Sequence, residues 1–320
     1  MSSTPTIIDS ELKQFETIFR DAVKSDVLLL DRILKYIVKT KGKQLRPMFV
    51  LLSAKMCGPV TDVAYRAASL VELLHTATLV HDDVVDEAAE RRGFFSVYAL
   101  WKNKASVLVG DYLLAKGLLL SLENKDFTIL EILADAVKKM SEGELLQLEK
   151  SRLLNIKEED YFNIIKNKTA SLLASACAAG AYSTSKDPVI TEKFRQFGEY
   201  TGIAFQIKDD LFDYGTEDVG KPTGNDIREK KITLPLIFTL EKVSKKEKSA
   251  IIYILKNKNK SNEDIQFVIE QVKQAGGIQY AEEKMDSFKN KALELLAGFP
   301  QSEECLALME MVKYTTERKK

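Results

Sequence analysis

The chain of 320 residues is poor in cysteine and histidine and carries no net charge. Its three cysteines, Cys57, Cys177 and Cys305, lie far apart and form no C-x-x-C or Cys/His spacing. Neither a disulfide framework nor a zinc site is expected, and a reducing, cytoplasmic setting fits. The two histidines, His75 and His81, sit on either side of one apolar turn, and neither stands near a plausible nucleophile. Lys plus Arg number 47 and Asp plus Glu 47, so no global field attracts nucleic acid and no nucleic-acid partner is expected. The chain shows no basic start followed by an apolar leader, and no run approaches the roughly 18 apolar residues of a spanning helix. A protein without a targeting or transmembrane segment is therefore expected. The 45% hydrophobic content is enough to fill a core.

Proline is also missing, from Pro59 all the way to Pro188, and that stretch is filled with Leu, Ala, Glu and Lys. Such a run predicts helices. From Thr61, with Thr61-Asp62 as a capping signal, Val63, Ala67, Leu70, Leu73, Leu74 and Ala77 recur at helical spacing. Similar periods cover 105–121, 128–153, 159–181 and 190–213. The segment from Ser171 to Ala181 is apolar on several faces, which predicts a helix surrounded by others. Breakers cluster at 91–93, 183–188, 215–224, 256–262 and 276–277, and none is a long Pro/Gly/Ser linker. One all-α domain over 1–320 is the expected organisation.

Two acidic clusters carry the functional signal. His81-Asp82-Asp83-Val84-Val85-Asp86 and Lys208-Asp209-Asp210-Leu211-Phe212-Asp213 share D-D-x-x-D, and each closes an apolar helical segment. Positions i, i+1 and i+4 fall within one arc of a helix, so each trio is predicted to point its carboxylates to one side. At a helix C-terminus this is unfavourable, because like charges repel and the dipole is already negative. A cation removes the conflict, and hard oxygen donors with room for water and phosphate suit magnesium. A solvated acidic face is the bland alternative, but two copies at helix ends are hard to obtain by accident. Cations interleave with the clusters: Lys43 and Arg46 before an apolar helix, Arg91 and Arg92, Lys168-Thr169, Lys221, and Lys230-Lys231. Alone, each is a surface charge; together with two magnesium-type sites they describe a binder of two diphosphates.

At these residues the sequence resembles the trans-polyprenyl diphosphate synthases. The matching residues are Gly42-Lys43-x-x-Arg46-Pro47, Glu72-Leu-Leu-His75, both aspartate clusters, Arg91-Arg92-Gly93 and Gly110-Asp111-Tyr-Leu-Leu114. Gly143-Glu144-x-x-Gln147, Lys168-Thr169-Ala170, Phe205-Gln206, Gly220-Lys221-Pro-x-Gly224, Lys231-x-Thr233-Leu-Pro235 and Gly276-Gly277 succeed them in the same order. The resemblance implies an all-α orthogonal bundle around a deep apolar cavity, usually a homodimer. It implies three Mg2+ ions, with Asp82, Asp86 and Asp209 as ligands and Asp83, Asp210 and Asp213 as supporting or water-mediated ones. It places isopentenyl diphosphate on Lys43, Arg46, His75 and Arg92. The allylic diphosphate goes to Arg91, Lys168 and Lys221, helped by Thr169, Gln206 and Lys231. Asp82, Asp86, Asp209, Lys168 and Gln206 are the expected catalytic set. The sequence departs from the family at Gln44, at Phe94-Phe95, and at Lys230, which replaces a common Gly.

Small residues at Ala77 and Thr78, five and four before Asp82, resemble the open floor of long-chain members and imply a product tail longer than twenty carbons, about thirty-five to fifty, as used for respiratory quinones. A shorter-chain synthase is the nearest alternative. A class I terpene cyclase would share the first cluster, and Asp209, Asp213 and Glu217 fit part of its second motif. It would leave Lys43, Arg46 and Arg92 without a ligand. A non-catalytic subunit of a heteromeric synthase would be expected to lack the clusters, and both are intact.

Overall fold

The computed structural model describes residues 7–40, 42–91, 93–215, 224–257 and 259–318. They form an all-α fold. In chain order the helices are α1 (Asp9–Ala22), α2 (Leu28–Lys39), α3 (Leu45–Met56), α4 (Asp62–Val85), α5 (Val97–Glu123), α6 (Phe127–Leu153) and α7 (Glu158–Ile165). A π-helical turn, Lys166–Ala170, joins α7 to α8 (Ser171–Ser185). Then come α9 (Pro188–Phe212), α10 (Asn225–Arg228), α11 (Leu234–Lys242), α12 (Lys245–Lys256), α13 (Asn262–Gln274), α14 (Gly277–Ala297) and α15 (Glu303–Glu317). The only strands among the described residues, β1 (Glu90–Arg91) and β2 (Phe94–Phe95), form a hairpin after α4.

The helices expected from 61, 105, 128, 159 and 190 are all present. One capping detail differs: Thr61 occupies the N-cap of α4, yet its hydroxyl donates to the Ser183 carbonyl at 3.3 Å instead of capping the helix. The hydroxyl satisfies a carbonyl near the end of α8, so the capping position is set by backbone geometry alone. The loop over 256–261 ends in a capping box, where Ser261 accepts from the Asp264 amide and Asp264 accepts from the Ser261 amide.

The chain divides into two compact units. The first comprises Met1–Val137, Leu172–Arg195 and Pro300–Leu308. Here α3 and α4 are buried over most of their length, and residues 172–181 of α8 are buried on every face, as a helix surrounded by others requires. Glycines set the close approaches. A methyl at Gly180 would stand 2.2 Å from the Val50 carbonyl oxygen, and one at Gly110 would stand 2.1 Å from the His81 ring. α5 is kinked at Lys102, where φ is 65°. It is nevertheless the one helix among the described residues long and apolar enough to cross a membrane, with a third of its apolar window buried. It passes by length and averaged composition only, a test that packed core helices also pass.

The second unit comprises Lys138–Ser171, Gln196–Phe299 and Met309–Lys320. Its core joins Tyr161 and Ile165 to Ile203 and Ile207, and on to Leu234, Ile237, Val268 and Val272. Gly202 lets α9 touch the π turn, since a methyl there would lie 2.6 Å from the Ala170 Cα.

Candidate active site

In the first unit α4 delivers Asp82 and Asp83 in its last turn and Asp86 as its C-cap. The three do not share one side. Asp82 is half-buried and Asp86 exposed, whereas Asp83, 100° further round the helix, is buried at 3% exposure. Arg91 on β1 meets it, Nε donating to Oδ1 at 2.6 Å. Burial is the largest influence on the Asp83 carboxyl and pushes its pKa up, and Arg91 pulls it back. Arg91 is thus held by Asp83 at the rim of a cavity of about 70 Å³ that also takes in Glu72, His75 and Tyr36. Arg46 lies in the first turn of α3, not ahead of the helix, and its Nη1 is 2.9 Å from His75 Nε2. A guanidinium only donates, so His75 accepts at Nε2 and carries its proton on Nδ1. His81 faces Asp111 of α5 at 3.5 Å. Lys43 precedes α3, after which Gln44 adopts a left-handed conformation (φ 52°) as its N-cap.

Ala77 is fully buried and shares a helical stripe with Leu73, Leu74 and His81. Those three face Gly110 and Gly117 of α5, so Ala77 belongs to the same tightly packed seam. Thr78 is half-buried and its hydroxyl donates to the His75 carbonyl at 2.8 Å. Neither lines the cavity beside Asp83, which is walled on this helix by Thr76, Leu79 and Val80.

In the second unit the other cluster is arranged differently. Asp209 keeps a side chain 38% exposed and is paired with Arg318, whose guanidinium also lies 4.2 Å from the Phe205 ring centroid. Asp210 is buried, accepting from the Tyr161 hydroxyl at 2.6 Å and from Gln206 Nε2 at 2.8 Å. Burial above all, then the charge of Asp226, pushes its carboxyl up to about 8 against the pull of those two donors. Asp213 accepts from the amides of Asn225 (2.8 Å) and Asp226 (3.1 Å), tying the end of α9 to the start of α10. The expectation of two one-sided trios therefore fails in both clusters. Three hydrogen-bonded anchors, Asp83, Asp210 and Asp213, turn inward, because an i+1 residue faces the helix's packed side and the amides of α10 capture Asp213.

Lys168 and Thr169 fall in the π turn, where one extra residue re-aims both side chains. They sit inside a continuous helical stretch, as the period over 159–181 predicts. Glu144 Oε2 and Gln147 Oε1 of α6 hold Lys168 Nζ at 2.5 and 2.9 Å. Gly143 makes this possible, since a methyl there would lie 2.8 Å from the Lys168 amide nitrogen. The Thr169 hydroxyl donates to Gln206 Oε1 at 2.7 Å. Lys168, Thr169, Gln206, Asp210 and Lys231 line one cavity of about 130 Å³, with Lys231 paired to Glu229 at 2.6 Å. Arg92, Lys221 and Glu217 lie outside the described residues. Glu144, Gln147 and Gly143 stood in the sequence only as matched motif letters; Tyr161 and Arg318 carried no signal as partners of the second cluster, because nothing along the chain relates them to it.

Among the described residues no group of three His, Cys, Asp or Glu side chains is arranged to hold a metal ion by itself. Asp82 with Asp86 one turn on, and Asp209 singly, are incomplete hard-oxygen donor sets. That fits magnesium, which keeps several positions for water and substrate phosphates.

An all-α chain that presents outward carboxylates and anchored cations has the fold and the side chains of a diphosphate-handling transferase of the isoprenoid-synthase type. The polyprenyl synthetase family model matches residues 27–272. Octaprenyl diphosphate synthase of Escherichia coli (strain K12) is 32% identical over 300 residues, 93% of each chain. The structure is similar to that of a polyprenyl synthase from Caulobacter crescentus complexed with calcium and isoprenyl diphosphate, with TM-score 0.92, 33% identity and coverage of 99% and 98%. It is also similar to geranylgeranyl pyrophosphate synthase from Bacteroides thetaiotaomicron, with TM-score 0.85, 38% identity and 99% of each chain covered. The chain belongs to the polyprenyl synthetase family and is a prenyl transferase.

Proposed function

We propose that this enzyme condenses an allylic prenyl diphosphate with isopentenyl diphosphate, head to tail and all-trans, to give a polyprenyl diphosphate. The observation that carries this reading is that each unit holds accessible carboxylates beside an anchored cation: Asp82 and Asp86 in the first, where Asp83 holds Arg91, and Asp209 in the second, where Glu144 and Gln147 hold Lys168. Arg46, His75, Lys43 and Arg92 hold isopentenyl diphosphate; Arg91, Lys168, Lys221, Thr169, Gln206 and Lys231 hold the allylic diphosphate. Asp82, Asp86 and Asp209 are the direct ligands of three Mg2+ ions, and Asp83, Asp210 and Asp213 set the positions of their neighbours. Bound magnesium supplies charge neutralisation for the departing diphosphate. Lys168 and Arg91 add fixed positive charge as the allylic C–O bond ionises, and the isopentenyl double bond attacks the resulting cation. Proton loss, with the released diphosphate as base, restores the alkene.

The tail is proposed to exceed twenty carbons, about thirty-five to fifty, for a respiratory quinone, on the ground that Ala77 and Thr78 are small. Ala77 lies in the α4–α5 seam, so Thr78 is the better test: Thr78→Phe should shorten the product, and an unchanged product length rejects this floor. A homodimer is proposed because α5 and the start of α6 leave Leu108 (68%), Leu119 (49%) and Phe127 (59%) exposed. Three cysteines outside any disulfide fit a reducing cytoplasm. The deciding experiment is mass analysis of products from farnesyl diphosphate, labelled isopentenyl diphosphate and Mg2+. Long polyprenyl diphosphates made by the purified single chain are expected. Cyclised hydrocarbon without isopentenyl diphosphate, or strict dependence on a second protein, would overturn the reading.

A further inference from the structure

The second cavity has one buried polar side chain, Tyr161, that the proposed ligand set does not use. Tyr161 on α7 is 3% exposed and packs in the core of its unit. Its hydroxyl donates to Asp210 Oδ2 at 2.6 Å, and Asp210 Oδ1 accepts from Gln206 Nε2 at 2.8 Å. Gln206 Oε1 in turn accepts from the Thr169 hydroxyl at 2.7 Å. Four side chains from α7, α9 and the π turn thus form one hydrogen-bonded chain that runs from the core to the cavity surface.

The direction of this chain is set at its buried end. A glutamine amide has one donor face and one acceptor face of nearly the same shape, and a half-turn exchanges them. An acceptor oxygen of Asp210 facing Gln206 selects the NH2 group for that side, which leaves the carbonyl to meet Thr169. Asp210 keeps its own orientation because its other oxygen is held by Tyr161, out of contact with water. A phenol can donate there without bringing charge into the core, and a buried acceptor without that donor is costly.

We propose that Tyr161 is a positioning residue for the allylic diphosphate, acting through Asp210 to fix the orientation of Gln206 and Thr169. This rests on the proposed membership of Gln206 and Thr169 in the allylic site. Tyr161 lines the same cavity, but its hydroxyl is engaged by Asp210, so its polar effect reaches the substrate through Asp210 and Gln206, is confined to one of the two substrates and vanishes once Gln206 is gone.

Steady-state kinetics on Tyr161→Phe, Gln206→Ala and the double variant test this, with each substrate varied in turn at saturating Mg2+. Tyr161→Phe keeps the ring and removes only the hydroxyl. The expected result is a rise of roughly five- to tenfold in KM for the allylic substrate, with KM for isopentenyl diphosphate unchanged. In the Gln206→Ala background the same change should have no further effect on allylic KM. An unchanged allylic KM, an equal rise for both substrates, or full additivity in the double variant overturns the proposal. Should Tyr161→Phe not fold, as checked by circular dichroism, Asp210→Asn reads the same link and must also raise allylic KM alone. If Gln206→Ala by itself leaves allylic KM unchanged, it is the allylic-site reading that fails.

Discussion

The two D-D-x-x-D clusters are identical in pattern and unlike in structure. In the first, at the end of α4, Asp82 and Asp86 are accessible and only Asp83 is buried, against Arg91. In the second, at the end of α9, Asp209 alone is accessible, while Asp210 and Asp213 are held by Tyr161, Gln206 and the amides of α10. The segment after each helix accounts for the contrast. Beyond α4 the chain runs into a hairpin in which no amide of the described residues reaches Asp86; beyond α9 the start of α10 lies within reach of Asp213. The same motif therefore offers two accessible carboxylates in one place and one in the other.

The largest effects should come from the accessible members. Asp82→Ala and Asp209→Ala are each expected to lower kcat by about 10²–10³-fold, the range seen when one preorganised electrostatic contact to a developing charge is lost. Turnover within tenfold of the parent enzyme for either variant would refute the assignment. Circular dichroism of both variants should match the parent, because neither carboxylate is a buried anchor.

The third aspartates sharpen the contrast through stability. Asp213→Ala removes the acceptor of two backbone amides at the start of α10 and should cost about 1–2 kcal/mol, as loss of a helix cap does. Asp86→Ala removes an exposed side chain and should shift stability little. Urea unfolding of the metal-free proteins checks both, and equal losses would break the distinction between a buried anchor and an open ligand.

A smaller effect belongs to Arg318. Its guanidinium pairs with Asp209 and lies over the rings of Phe205 and Phe212, where a divalent ion would otherwise meet that carboxylate. Arg318→Ala should lower the Mg2+ concentration for half-maximal binding, read by titration calorimetry on the metal-free protein, by roughly two- to fivefold, the scale of a partly exposed ion pair. An unchanged or weakened affinity would show that Arg318 does not compete.

Much of the fold was legible because periodicity and proline punctuation are local signals. The long helices from 61 to 213 and the fully buried stretch of α8 follow from apolar spacing alone. The candidate site was legible as residue types and only partly as geometry. Spacing placed Asp82, Asp83 and Asp86 in one arc, but which way that arc faces depends on packing, and Arg91 decides it for Asp83. Tyr161 and Asp210 are 49 residues apart and Asp209 and Arg318 109 apart, so no sequence window contains either pair. The π turn at Lys168 was invisible for a different reason: it changes the register of a helix without changing its composition.

The last contrast is in the backbone just beyond the second cluster. Lys230 adopts φ 62°, in the left-handed region that favours Gly. A side chain there crowds its own carbonyl at a cost of about 1–2 kcal/mol, partly offset because glycine has more freedom to lose on folding. Its ammonium reaches the Lys256 carbonyl at 3.3 Å, a long and exposed contact that recovers little. Lys230→Gly should therefore raise stability by about 0.5 kcal/mol, measured as a higher urea midpoint with an unchanged slope, and leave Lys231 in place on Glu229. The left-handed Gln44, directly after Lys43, provides the comparison in the other unit, since Gln44→Gly relieves the same strain at the N-cap of α3. A fall in stability at both positions would mean that the side chains contribute more than their backbone strain costs.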